Sequence, residues 1–412
     1  MPSMPDISIR PVTDAEYPAF VLAFIEGFAD DLPTESFPAM IRRTLPPERT
    51  LAAFDGEVIV GTFGGYDLSL TVPGGSTVPM EGTTVVTVFP THRRMGLLRS
   101  MMDRHLANAA AAGYPIAGLW ASESGIYGRF GYGLATYNDS WNMRGPLVSF
   151  RDEIPIDRVR RIDPDVAKDL LPRVFDAVLP TRAGMYARNE AWWGEVLLDE
   201  EWMKRGRTSK RYVVHDGPDG VDGYAIYRQK ADEGDDSHAN GKVSIVELIA
   251  STPAATASLW AYLTRIDLCP NVESWNVPVD DPLPMMVKEP RRIATKGRFD
   301  ALWIRILDVR AALEARTYEE DDSLVIDVVD DFRPSTSGTY RLTVAGGNAT
   351  VLPINGDADL SVDEEALGAL YLGGGDALAY AAAGRIRGGS DEIVRLHRMF
   401  RTVQAPWCNQ VF

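Results

Sequence analysis

The sequence predicts an α/β (α+β) protein of three blocks, the second a degenerate copy of the first. Three observations carry this reading. The first block alternates strand and helix patterns, with Asp55-Gly56 as a hairpin turn between two apolar runs. Residues 211–230 repeat the order strand, Asp-Gly turn, strand, and a strand-like run (242–250) and a helical run (251–266) follow. Residues 324–354 alternate apolar and polar side chains around Gly-Gly-Asn, and helical runs come after them, the mark of an α+β domain. At roughly 100–200 residues per domain, 412 residues allow two to four domains. The boundaries fall at 1–150, 151–295 and 296–412, with the proline-rich, charged 280–292 as a linker.

The elements of the first block follow in order. DISIRPV opens as a strand, and TDAEY starts a helix that runs to about Phe28. Residues 51–54, 57–70 and 83–89 read as strands. Leu98, Met102 and Leu106 repeat every four residues and give the helix from Leu97 one apolar stripe, closed by Gly113. IAGLWA (116–121) is a short strand, and SESGIYGRF begins a second helix.

Composition narrows the classes. The net charge is −16, with 58 acidic against 42 basic residues, which speaks against a nucleic-acid binder and allows attraction of cations. Two distant cysteines, Cys269 and Cys408, make no disulfide framework and fit a reducing compartment. The start MPSMPDISIR lacks an apolar signal region, and no run reaches the ~18 apolar residues of a membrane span, so a cytoplasmic location is expected. The five histidines show no metal-ligand spacing, and no metal is expected. His92 and His105 read as polar or satisfied residues, and Cys408 as a small buried one.

The strongest chemical signal is VVTVFPTHRRMGLLR (85–99), where a strand ends, a basic turn with glycine follows and a helix begins. The first N–H groups of a helix lack internal partners, and the dipole favours an anion there. Gly96 allows close approach, and Arg93 and Arg94 add charge, a turn suited to a pyrophosphate. The turn is neither a Walker A loop nor a dinucleotide fingerprint. It resembles the acetyl-CoA loop of the GNAT acetyltransferases, R/Q-x-x-G-x-G/A, here Arg93-Arg94-Met95-Gly96-Leu97-Leu98, with Leu98 departing from the pattern. In SESGIYGRFGYG (122–133), Tyr127 is placed to protonate a leaving thiolate. The second block replaces HRRMG with Ser251-Thr252-Pro253, a copy that has lost the loop.

Together with DPLP (281–284), ALWIRILDVRAALEARTY (301–318), LGALYLGG (367–374) and the terminal Phe412, these stretches resemble the Eis (enhanced intracellular survival) family of aminoglycoside N-acetyltransferases. The resemblance implies tandem GNAT-like domains with central mixed sheets, the second degenerate, then a sterol-carrier-protein-like domain. It implies that Val86, Thr87 and Val88 pair with the pantetheine arm, and that the basic turn (Arg93 and Arg94 through Arg99) holds the pyrophosphate. It implies Ser122 and Glu123 beside the acyl group, Tyr127 as general acid and the Phe412 carboxylate as general base. Asp30, with Asp31 and Glu35 nearby, would bind a cationic amine. Val411 stands where an acid is expected from the family, which lessens the acidity of the amine pocket. A homo-hexamer is implied as well. The resulting expectation is acetyl transfer from acetyl-CoA to a primary amine of an aminoglycoside or polyamine-like substrate. Acetylation of protein lysines, or a non-enzymatic CoA- or lipid-binding role, are the alternatives.

Overall fold

The apolar run after Thr50 forms the hairpin that its turn residues dictate. In a computed structural model, which describes residues 7–234 and 238–412, strands β2 (Thr50–Asp55) and β3 (Val58–Thr71) pair antiparallel, and Gly56 takes a φ of 60° in the turn. The expected first strand opens at Asp6, outside the described residues; its described part is β1 (Ile7–Arg10), paired with β2. β4 (Thr77–Val88) pairs antiparallel with β3; helices α1 (Tyr17–Gly27) and α2 (Phe37–Ile41) come earlier in the chain, and β5 (Ile116–Trp120) runs parallel to β4 after the crossover helix α3 (Leu97–Ala111). The short strand β6 (Gly133–Leu134) closes the block.

Among the described residues the fold is mixed α/β with three sheets. The chain divides into two compact units: the described residues up to Ala135 with Leu302–Thr402 and Val411–Phe412, and Thr136–Ala301 with Val403–Gln410. In the first unit a strand from the third block, Leu302–Ile306, inserts between β5 and β6 to complete a 7-stranded sheet. In the second unit β7 (Tyr137–Arg144), which precedes residue 150, pairs in the other 7-stranded sheet. The first block therefore gives a strand to the second sheet and the third block gives one to the first, and hydrophobic periodicity is blind to this because it reports a strand's existence and not its partner. The remaining second-sheet strands include β8 (Val159–Ile162), β9 (Arg211–Gly217), β10 (Gly220–Lys230), β11 (Lys242–Ala250) and β12 (Asn271–Pro278). The β11–β12 pair is parallel, with the helix Pro253–Thr264 as its crossover, the same order as β4, α3, β5.

The third block adds a 5-stranded sheet and helices. Arg316, fully buried, donates to the carbonyls of Leu370, Tyr371 and Phe400, and so satisfies the orphan C-terminal groups of two helices. Arg305, on the inserted strand, forms a fully buried ion pair with Asp330. A Cβ at Gly131 would collide with the Arg305 guanidinium, and one at Gly133 with the backbone of Glu365. The glycines of FGYG thus let the Tyr127 segment dock closely on the helix Glu364–Leu370.

Two sequence expectations change in detail. The helix expected at SESGIYGRF is instead a pair of 3-10 turns, Ser124–Ile126 and Gly128–Phe130, because Gly125, Gly128 and Gly131 make an α-helix costly. The buried stripe of α3 runs through Leu97, Met101, Met102, His105, Leu106 and Ala109, and Leu98 is only half-buried.

His105 sits in a buried polar row. Its Nε2 meets Thr83 Oγ1 at 3.0 Å, and Thr83 Oγ1 meets the Tyr132 hydroxyl at 2.8 Å. Glu81 lies 3.6 Å away and is held by Arg49 at 2.6 Å. Burial first, and the Arg49 charge second, push the His105 imidazole down from 6.5 to about 3. The unfolded chain binds this proton below its ordinary value and the folded chain does not until near pH 3, so acid favours unfolding. Between those values stability falls by about 1.4 kcal/mol per pH unit from this group. Denaturant titrations of the wild type and His105→Gln between pH 7 and 4 are expected to show a shallower acid loss in the variant; equal slopes would remove His105 from the acid response.

Candidate active site

The β4–β5 ladder holds only from Met80↔Ile116 to Gly82↔Gly118, although β4 continues to Val88. Beyond this point the two strands part. The parting has a local cause on the other edge of β4: Val85 takes a φ of 45°, and the register with β3 slips by one residue between Thr62 and Gly64. Such a bulge twists the strand away from its neighbour. Thr62 fixes the bulge by donating to the Val85 carbonyl at 2.7 Å.

A cavity of about 670 Å³ opens in this unit, lined by Val86, Thr87 and Val88 of β4 and by the turn into α3. In that turn Arg94 has a φ of 65° and Gly96 a φ of 82°. No side chain caps the helix, and its first turn carries no acid. The leading N–H groups of α3 are therefore left for a ligand, and the αL geometry beside them makes an anion-binding nest. Nothing lies within 4 Å of a Cβ built on Gly96, so there is space for a phosphate. Arg93, Arg94, Arg99 and Arg129 line the cavity against one acid, Glu123. Arg93 is tied to the strand end through the Val88 carbonyl, and the Arg99 guanidinium lies 4.8 Å over the Phe332 ring.

Tyr127 lines the same cavity between its two 3-10 turns and is 4% exposed. Its ring packs edge-on against Tyr132, 6.2 Å between centroids. Burial is the main force raising its phenol above the ordinary 10, opposed by a hydrogen bond with Ser122 and aided by Glu123. The hydroxyl therefore keeps its proton through the neutral range and can act as an acid and not as a phenolate.

Of the residues expected from sequence, Val86, Thr87, Val88, Arg93, Arg94, Gly96, Leu97, Leu98, Arg99, Ser122, Glu123 and Tyr127 line this one cavity. Met95 is 41% exposed and is not among its lining residues. Asp30 also lies outside the lining; it is exposed, and its carboxylate accepts the Asp31 N–H at 2.9 Å. Phe412 packs its ring edge-on against Tyr66, centroids 6.3 Å apart, outside the cavity lining. Gly82 makes room for this contact, since a Cβ there would lie 2.7 Å from Leu68 and 3.2 Å from the Phe412 ring. Gly27, Phe28, Ala29, Ile126, Arg129 and Phe130 line the cavity without having been singled out by sequence. Arg129 stood inside the SGIYGRF motif, and its basic character was the available signal. His92 also lines the cavity, with its ring nitrogens near Thr91 and Asp55.

Comparison with known proteins agrees with this geometry. Residues 8–135 and 184–335 each match an acetyltransferase (GNAT) domain family, and residues 309–409 match the sterol carrier protein domain family. An uncharacterized N-acetyltransferase of Streptomyces avermitilis is 37% identical over 420 residues, covering 99% of both chains. N-acetyltransferase Eis of Mycobacterium tuberculosis is 33% identical over 395 residues, 93% of this chain and 94% of that one. The chain belongs to the Eis family of N-acetyltransferases. The crystal structure of Eis1 from Mycobacterium abscessus superposes with a TM-score of 0.86 at 31% identity, covering 98% of this chain and 100% of the other. A GCN5-related N-acetyltransferase from Anabaena variabilis shares the fold at a TM-score of 0.85 and 18% identity. As a GNAT-type enzyme of the Eis family, the protein is an N-acetyltransferase, and GNAT domains imply acetyl-CoA as donor. The cavity residues fit that group, with open helix N–H groups and guanidinium side chains for phosphates and a parted strand for an amide-bearing arm. No helix among the described residues is long and apolar enough to cross a membrane.

Arg93→Gln combined with Arg94→Asn removes two charges while keeping a residue tolerant of positive φ at 94. Calorimetry is expected to show coenzyme A binding weakened by about tenfold or more and less dependent on salt. Unchanged affinity would place the phosphates elsewhere.

Proposed function

We propose that the protein transfers an acetyl group directly from acetyl-CoA to a primary amine of an aminoglycoside or polyamine-like substrate. One observation carries this reading: the uncapped, arginine-lined start of α3 and the buried, protonated Tyr127 line one cavity beside a parted strand. In this reading the backbone of Val86, Thr87 and Val88 pairs with the pantetheine arm as an added strand. The residues from Arg93 to Arg99 hold the pyrophosphate, and Ser122 and Glu123 lie beside the acyl end.

The amine nitrogen must shed a proton before it attacks the thioester carbonyl. The Phe412 carboxylate takes that proton, directly or through water, and Tyr127 gives its own to the thiolate as the carbon–sulfur bond breaks. Asp30, Asp31 and Glu35 gather the polycation near the entrance, and the net charge of −16 supports its attraction. Family membership supports a cytoplasmic homo-hexamer in which the third block supplies the catalytic tail.

Tyr127→Phe is expected to keep coenzyme A affinity and lose roughly 10²–10⁴ in turnover, read as thiol release. Unchanged turnover would exclude Tyr127 as the acid. A few residues appended after Phe412 are expected to abolish amine-dependent turnover, whereas an N-terminal extension leaves it intact. Equal activity of the two forms would exclude the terminal carboxylate as base.

A further inference from the structure

The second unit repeats the parted strand. β11 and β12 pair only from Lys242↔Asn271 to Ile245↔Ser274, while β11 continues to Ala250. The register between β10 and β11 slips by one residue between Ile226 and Tyr227, the counterpart of the bulge at Val85. A cavity of about 430 Å³ lies there, within the range of small-molecule sites.

Its chemistry differs from that of the first cavity. The crossover helix starts with Pro253, which has no N–H, and Thr252 Oγ1 accepts from the Ala255 N–H at 3.1 Å. The same hydroxyl donates to Asp222 Oδ2 at 2.7 Å, which sets a carboxylate at this helix start. A phosphate is therefore rejected. The charged groups in the wall are already matched: Glu247 is held by buried Arg188 at 2.6 Å and by the Tyr224 hydroxyl, and Arg182 by Asp280 at 2.7 Å. Asp281, whose carboxyl is pushed up to about 6 by burial, accepts the Leu283 N–H. No cation is left over among these groups to attract an anion, and the Asp281 carboxyl is already engaged by that N–H.

A carboxamide is left over. Asn409, 7% exposed, is in the cavity wall, and neither its Oδ1 nor its Nδ2 has a hydrogen-bond partner. A buried carboxamide with both ends unpaired is destabilising, and a ligand amide supplies the matching acceptor and donor together. Around it the wall is apolar, with Met185, Ile249, Val277 and Trp407. Trp407 is locked in place by its indole N–H to Asn276 Oδ1 at 2.9 Å. We propose that this second cavity is a binding site for a neutral small molecule carrying an amide on an apolar body.

The test uses the full chain with coenzyme A in excess, so that the first cavity is filled, and reads binding instead of acetylation. The probes are 4-phenylbutanamide and its charged analogues of equal length, 4-phenylbutanoate and 4-phenylbutylammonium. Calorimetry at pH 7.5 or so is expected to show one amide bound per chain and both ions weaker by about tenfold or more. Asn409→Leu should weaken the amide by a similar factor. Val246→Trp, at a cavity-lining position already 37% exposed, should block it without disturbing the core. Melting temperatures identify a variant that misfolds, in which case the other variant decides. No binding of the amide, equal binding of the carboxylate, or full binding by the folded variants would overturn the proposal.

Discussion

Strands β4 and β5 part at Gly82 and Gly118, and the donor cavity exists because they do. A continuous ladder would satisfy the backbone of residues 83–88 on both edges and leave no place for a ligand between the strands. The bulge at Val85 turns β4 away, and Thr62 pays nothing in unpaired groups because it caps the displaced carbonyl. Glycine stands at both positions of the last pair. At Gly118 a Cβ would lie 2.5 Å from Met80 Sδ, and at Gly82 it would push on Leu68 and the Phe412 ring. The strand parting and the seat of the C-terminal ring are therefore set by one stretch of β4.

The duplicated unit shows what the parting alone provides. Both copies keep a bulge, a truncated parallel ladder and a cavity beside it. They differ at the helix start. The first copy leaves its N–H groups open under an αL glycine and surrounds them with guanidinium groups; the second closes them with Thr252, Pro253 and Asp222. The geometry makes a pocket, and the capping residues decide whether it takes a phosphate.

Much of this was legible in the sequence, because the deciding features are local. Arg93-Arg94-Met95-Gly96 sits at a strand-to-helix turn, and its φ values are those a glycine-bearing nest requires. The replacement of that turn by Ser251-Thr252-Pro253 was likewise visible. What sequence missed depends on long-range partners. The exchange of β7 and Leu302–Ile306 between sheets leaves no trace in periodicity. The glycines of FGYG looked compatible with a helix and instead clear the way for Arg305 and the Glu365 backbone. Phe28 and Ala29 reach the cavity from the end of the first helix (Tyr17–Gly27), and nothing local announces them. Asn409 is notable only once its lack of a partner is seen.

The central claim is that the uncapped start of α3 binds the phosphates of the donor while the parted strand binds its arm. The most direct measurement grafts the carboxylate found at the second copy's helix start onto the first, as Leu98→Asp, and compares binding of coenzyme A with binding of phosphate-free pantetheine. Coenzyme A affinity is expected to fall by about tenfold or more while pantetheine affinity holds. Undiminished coenzyme A binding by the folded graft would contradict the account.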